Sequence, residues 1–270
     1  MKRYIYFLLI LGAFSQTFSQ NQKDANGKKQ GYWKKKDEKT DKLIYEGLFK
    51  DDKPQGLFKY YYPHDTIRAL TNFKLDGKMA YSTLFHPNGK KMALGKYIGE
   101  ERDSVWSFFD ESGTLISKEN YAVGKKEGTH YVYLPNGVVS EERQFKNGKM
   151  HGPYKLYYDK NLIKTEGSYL DGELDGKNVF YFPNGVLAAE GTYKKGQKQG
   201  VWIYRENNGK LKEKELYKPG GILASKKESE EYFNKNKVAE TKTDTVTKKQ
   251  VDVKPKASGN KPTQPTKHKP

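Results

Sequence analysis

The chain has 270 residues, is 34% hydrophobic and 14% aromatic with 21 tyrosines, and carries a formal net charge of +17. So few aliphatic residues mean that the fold must bury rings, which pack well on the pleated surface of a strand. The lack of cysteine excludes a disulfide framework, a thiolate metal site and a cysteine nucleophile, and the dispersed lysines, interleaved with acids, read as a solvated face and not as a nucleic-acid surface.

Met1-Lys2-Arg3 is a short basic start, followed by an uncharged apolar run from Tyr4 to Phe14 and then SQTFSQ. Thr17 and Ser19 stand at the −3 and −1 positions of a cleavage before Gln20, so residues 1–19 are expected to be a secretory signal peptide. The apolar run falls short of the ~20 residues that span a bilayer, so no transmembrane segment is expected after cleavage. Residues 20–30 read as a linker.

From residue 31 to 220 the chain repeats itself. Unit one begins at Gly31, and units two to eight begin at Gly56, Ala80, Ser104, Gly128, Gly152, Gly176 and Gly200, at a spacing of 24 residues. Seventeen positions into units two to eight lie Phe73, Tyr97, Tyr121, Phe145, Tyr169, Tyr193 and Tyr217, aromatic every time. Five positions in lie Tyr61, Phe85, Phe109, Tyr133, Tyr157 and Tyr181, with Arg205 off the pattern. With Trp106 and Trp202, Phe109, Tyr133, Tyr157, Tyr181 and the seven rings of the first column are the expected repeat core.

Each unit reads as one β-hairpin. A ring-rich first strand (VWSFF at 105–109, VWIY at 201–204) meets a tight turn, written PNG at Pro87–Gly89, Pro135–Gly137 and Pro183–Gly185 and NNG at Asn207–Gly209. The turn glycines are Gly89, Gly113, Gly137, Gly185 and Gly209, and Asn-Gly before a strand signals a hairpin because both residues tolerate positive φ. A second strand carries the aliphatic residue and then the Tyr or Phe, and a second turn closes the unit (VGKKEG at 123–128, KGQKQG at 195–200). Neither turn has room for a crossover helix, so successive strands are antiparallel neighbours. The expected fold is all-β: an elongated single antiparallel meander of about eight 24-residue hairpins, in which sixteen strands at ~4.8 Å spacing make a ribbon of ~70 Å.

The pattern G-x-W-x-x-Y-x-x-x-G-x-L-x-x-E-G-x-Y-x-x-G-K-x-x-G resembles the bacterial variant of the MORN repeat. Residues 185–202 (GVLAAEGTYKKGQKQGVW) match it best, with 128–152 and 167–176 close behind, and the resemblance covers roughly 31–220. It implies hairpin ribbons that serve as scaffolds, dimerisation surfaces or membrane-associated modules, usually without catalysis, and it links many bacterial members to antitoxins. Units two and three depart from the pattern, with HDT at 64–66 and Ser82 in place of Trp or Tyr, and are expected to be the least regular.

No enzyme signal stands out, and no cofactor or metal site is expected. His64, His86, His130, His151 and His268 lack metal-ligand spacing. Glu119, Glu142, Glu166, Glu190 and Glu215 recur in the second strands, where each is expected to neighbour a lysine of the next unit and not to form a catalytic row. After Gly221 the pattern stops: a capping helix is expected over 221–237, started by the Ser225–Glu228 capping box, and a disordered Lys/Pro/Thr-rich tail over 238–270. The reading is an exported, non-enzymatic scaffold or binding module in the periplasm, envelope or medium, engaging protein or envelope polymer through an aromatic and lysine-lined β face, with self-association as a further expectation. The alternative is an antitoxin-like partner protein.

Overall fold

The computed structural model describes residues 20–159 and 162–240. It divides into two compact units, residues 1–222 and 223–270. The signal peptide expected over 1–19 and the tail from 241 onward lie outside the described residues.

The first compact unit is an antiparallel meander, part of one sheet of 20 strands among the described residues. Successive hairpin strands pair with one another, the short pieces Lys125–Lys126 and Glu173–Leu174 pairing back onto the strand before them, as expected from turns too short for any other connection. Residues 20–30 are more than a linker: Gln22–Lys23 pairs with the start of Lys29–Lys36 and adds a strand beside the first hairpin.

The two turns of each hairpin have different chemistry, and the sequence reading, which let both residues of Asn-Gly be left-handed, did not separate them. In the PNG turn the Gly89 N–H donates to the His86 carbonyl at 2.9 Å and the His86 N–H to the Lys90 carbonyl at 2.8 Å. This is a three-residue loop in which the glycine alone is left-handed, with φ of 81° at Gly89, 88° at Gly113, 81° at Gly137, 80° at Gly185 and 83° at Gly209. The asparagine stays out of that region and acts through its side chain, which accepts the backbone N–H two residues on, at 3.0 Å for Asn88 and Lys90. Unit two is regular here, against expectation, because Asp65 takes the glycine's place at φ 62° and the same two backbone bonds form.

The turn between units holds two left-handed residues: Val123-Gly124, Asn147-Gly148, Asp171-Gly172 and Lys195-Gly196. Only these two residues turn. The rest of each expected turn is strand apart from single residues such as Glu127 and Asp175, and Gln197–Arg205 runs straight through Gly200, where the pairing jumps from Thr192↔Gln199 to Glu190↔Ile203. A glycine at positive φ (69° at Gly200) absorbs the extra residues as a bulge. Ser104 in unit four takes the glycine's conformation at φ 59°, whereas Ala80 holds that position in unit three and is not left-handed. There the strands pair without a shift from Lys74↔Met79 to Ala69↔Leu84, and the surplus moves into a longer turn over 75–78. Unit three does break the pattern, but by being straighter than its sisters.

Val123 is a β-branched residue at φ 47° and 77% exposed. Left-handed backbone costs such a residue about 1–2 kcal/mol. Val123→Asn, which installs the residue found at position 147, is expected to raise stability by about 1 kcal/mol, read as a higher urea midpoint at unchanged slope.

The second compact unit contains the helix Lys226–Glu240, which runs three residues past the expected end. Its start is a reciprocal capping box: the Ser225 N–H donates to Glu228 Oε2 at 2.8 Å, and the Glu228 N–H reaches Ser225 Oγ at 3.4 Å. Among the described residues no helix is long and apolar enough to cross a membrane.

Candidate binding faces

Strand residues alternate between faces, and the two faces of this sheet have separate chemistry. One face is built on the third residue of each unit: Trp33, Phe58, Ser82, Trp106, His130, Tyr154, Asn178 and Trp202. It contains the most buried large side chains among the described residues, Trp106 at 0% exposure and Phe58 and Trp202 at 1%. The expected column of Tyr and Phe stands edge-on to them, with ring centroids 4.8 Å apart for Tyr97 and Trp106 and 4.9 Å for Tyr193 and Trp202. The indole N–H of Trp106 donates to the Lys96 carbonyl at 3.0 Å, and that of Trp202 to the Thr192 carbonyl at 3.3 Å. Cations cover the rings from outside: the Arg102 guanidinium lies 5.0 Å from the Trp106 ring and Lys198 Nζ 4.7 Å from the Trp202 ring.

Beneath Phe58, Trp106 and Trp202 lies a glycine of the preceding strand. A methyl group on Gly47 would sit 2.5 Å from the Phe58 ring, and on Gly95 or Gly191 it would overlap the indoles of Trp106 and Trp202. The column compensates for size. Thr71 stands where that glycine is expected, its partner is the small Ser82, and the two hydroxyls bond at 2.8 Å. Gly167 lies under the short Asn178, and the Tyr154 hydroxyl of the preceding unit crosses to bond Asn178 Oδ1 at 2.8 Å. The sequence reading missed this coupling, although its signal is visible as glycine eleven residues before Phe58, Trp106 and Trp202.

The opposite face holds the other expected rings. Tyr61, Tyr157 and Tyr181 point their hydroxyls at Glu46, Glu142 and Glu166, at 2.7, 3.4 and 2.8 Å. Phe109 and Tyr133 occupy the same column, so the rings expected as one core are divided between two faces. Glu46 also pairs with Lys34 at 3.6 Å and Lys59 at 3.3 Å. Burial pushes its carboxyl up, but the hydrogen bonds from Tyr61 and Tyr32 and the charge of Lys59 outweigh that and hold it at about 2.

In units two and three leucine replaces the glutamate of this column. Leu70 and Leu94, with Leu57, Tyr81 and Val105, line an open concavity of about 630 Å³. Leu57 and Tyr81 are each 53% exposed. The rim carries the Lys96–Asp103 ion pair at 2.6 Å. On the ring face of the same strands, where Ser82 supplies no ring, lies a second hollow of about 560 Å³.

The five glutamates do not form a row. Glu119 and Glu215 share the glycine column and lie on the ring face, whereas Glu142, Glu166 and Glu190 lie on the other. Lysine is the neighbour for Glu119 (Lys126, 3.2 Å) and Glu190 (Lys177, 2.8 Å) within the same unit and for Glu215 (Lys198, 4.0 Å) from the preceding one, and not from the next unit as expected. Glu142 and Glu166 instead accept tyrosine hydroxyls from the next unit. The histidines are scattered likewise: His86 Nε2 bonds the Phe109 carbonyl at 3.0 Å, His130 is buried against Phe145, and His151 faces Asp171 at 3.3 Å. Among the described residues no cluster of three such side chains is placed to hold a metal ion.

The family model for the MORN repeat variant matches residues 102–122, 126–147, 174–195 and 198–218. These stretches lie in units four, five, seven and eight, and both hollows lie between Leu57 and Val105. A search of curated proteins gave no match. A solved crystal structure of an S. aureus TarM mutant in complex with fondaparinux, alpha-GlcNAc-glycerol and UDP is 15% identical to this chain, with a TM-score of 0.28. The match covers 36% of this chain and 19% of that one, and at this score it carries no argument.

Proposed function

We propose that this chain, which carries four MORN repeats of the variant type, is an exported, non-catalytic binding module that engages a protein or envelope polymer through the leucine-lined face of units two to four. The observation that carries this reading is a local change of chemistry. The column that holds a carboxylate at Glu46, Glu142, Glu166 and Glu190 holds Leu70 and Leu94 at the centre of the exposed patch. Uncovered apolar side chains grouped on one face, with the Lys96–Asp103 pair at the rim, mark an interaction surface. Export is supported by Lys2-Arg3 and the apolar run Tyr4–Phe14. Absence of catalysis is supported by glutamates that recur on opposite faces and are not brought together in any one unit.

The test uses the full chain, immobilised, on an extract of the native cell envelope. Leu70→Glu with Leu94→Glu restores the residue type of the sister units, so the hairpins are expected to form while retention of the captured partner falls at least tenfold. Equal capture by the variant, or a strict monomer that captures nothing, defeats the proposal. Cell fractionation and the mature N-terminus, expected at Gln20, test export separately; a cytoplasmic chain retaining residues 1–19 would favour the antitoxin-like alternative.

A further inference from the structure

The hollow on the ring face of unit three has an internal template. Trp106 is enclosed by Ala93, Tyr97 and Tyr121, with Leu84 and Phe108 packed against the same cluster. Twenty-four residues earlier, those five positions are Ala69, Phe73, Tyr97, Tyr60 and Leu84, and all five line the hollow around Ser82. The walls of an aromatic seat are therefore present in unit three, while the side chain rising from its floor is a serine.

We propose that this hollow is a receptor for one aromatic side chain, of phenylalanine or tyrosine type, presented by a partner polypeptide. Three observations select that occupant. The walls are those that enclose a ring in unit four. The floor hydroxyls of Thr71 and Ser82 bond each other at 2.8 Å, so the base of the seat makes no demand for a polar guest. Thr71 also fills the place of Gly95, so a ring rests higher than Trp106 does, which suits a single six-membered ring better than an indole. A sugar carries hydroxyls around its whole edge and would find charged partners only at Arg68 and Glu100. The seat opens on the face opposite Leu70 and Leu94, so one polypeptide can engage unit three from either side.

The proposal rests on the reading of the chain as a binding module, and its test is separate because it uses a lone ring and the other face. The full chain, with labelled methyl groups, is titrated with N-acetyl-phenylalaninamide and, in parallel, with an N-acetylglucosamine oligomer. The expected result is a saturable upfield shift of the Ala69, Ala80, Leu84 and Met92 methyls with the amide, at a dissociation constant in the millimolar range that befits about fifteen heavy atoms. Ser82→Phe supplies the ring from within and abolishes the shift; Met92→Glu, at the lining and away from the floor, weakens binding at least fivefold if the first variant does not fold. Leu70→Glu with Leu94→Glu leaves the shifts unchanged. Shifts produced by the sugar in place of the amide, or no saturable shift with either, overturn the proposal whatever the envelope capture shows.

Discussion

Gly191→Ala lowers the stability of the repeat array by about 3 kcal/mol, a large effect for adding one methyl group. The new Cβ would overlap the six-membered and pyrrole carbons of Trp202, a ring that is 1% exposed and edge-on to Tyr193. The indole has no free direction, because its N–H is bonded to the Thr192 carbonyl and Lys198 lies over its outer side. Overpacking of this kind costs about 1–3 kcal/mol, and the fixed position of the ring puts the value at the upper end. Trp202→Ala alone costs about 3–5 kcal/mol through lost burial and the cavity left behind. The informative measurement is the cycle. In the Trp202→Ala background, Gly191→Ala becomes neutral or mildly stabilising, because the methyl enters the space the indole has left and glycine in a strand is entropically costly. Urea denaturation of the four proteins, followed by circular dichroism, gives the coupling energy. A value near zero would mean that the glycine does not seat the ring.

The array also loses stability between pH 5 and pH 2, and Glu46→Gln removes a defined part of that loss. The Glu46 carboxyl is held at about 2 in the folded chain against 4.5 when unfolded. A folded value below the unfolded one contributes stability that is fully present above pH 4.5 and disappears as the pH falls through about 2. The full difference corresponds to about 3 kcal/mol, and about 2 kcal/mol is the better expectation because the Lys34 and Lys59 side chains are 40% and 43% exposed and screened by water. Wild type should exceed Glu46→Gln by that amount at pH 7, with the gap closing by pH 2. Trp33 belongs to the same unit, so its fluorescence reports the local transition. The partner hydroxyl moves the other way: burial and the Glu46 charge push Tyr61 up to about 12, so it remains a donor throughout this range. A gap constant from pH 7 to pH 2 would show that Glu46 gains nothing from its ionised partners.

Much of this molecule is legible from one strand of reasoning, namely spacing. A 24-residue period with glycine-bearing turns leaves antiparallel neighbours as the only arrangement, and the hairpins lie where that period puts them. What spacing does not convey is which residues of a turn are left-handed. Asn-Gly occurs in both turns, but at Asn88-Gly89 only the glycine is left-handed, while at Asn147-Gly148 both residues are. The difference lies in loop length, which the strand register sets. Spacing also merges residues that the pleat separates. Glu119 and Glu142 share a motif by eye, yet they are one alternation apart and face opposite sides of the sheet. The departures at Asp65 and Ser82 are visible in the sequence too, but their consequences differ: aspartate tolerates the left-handed turn, whereas alanine and serine in unit three straighten a strand and leave a ring out of the face.

By itself the amino-acid sequence determined the hairpin architecture, because local turn chemistry and alternating rings allow only one way to connect strands that short. Tertiary structure alone decided which rings share a face and which glycine seats which ring, and that unit three presents a hollow on each side. Those outcomes depend on cross-strand register, and a shift of one residue through a bulge sends a side chain to the other face.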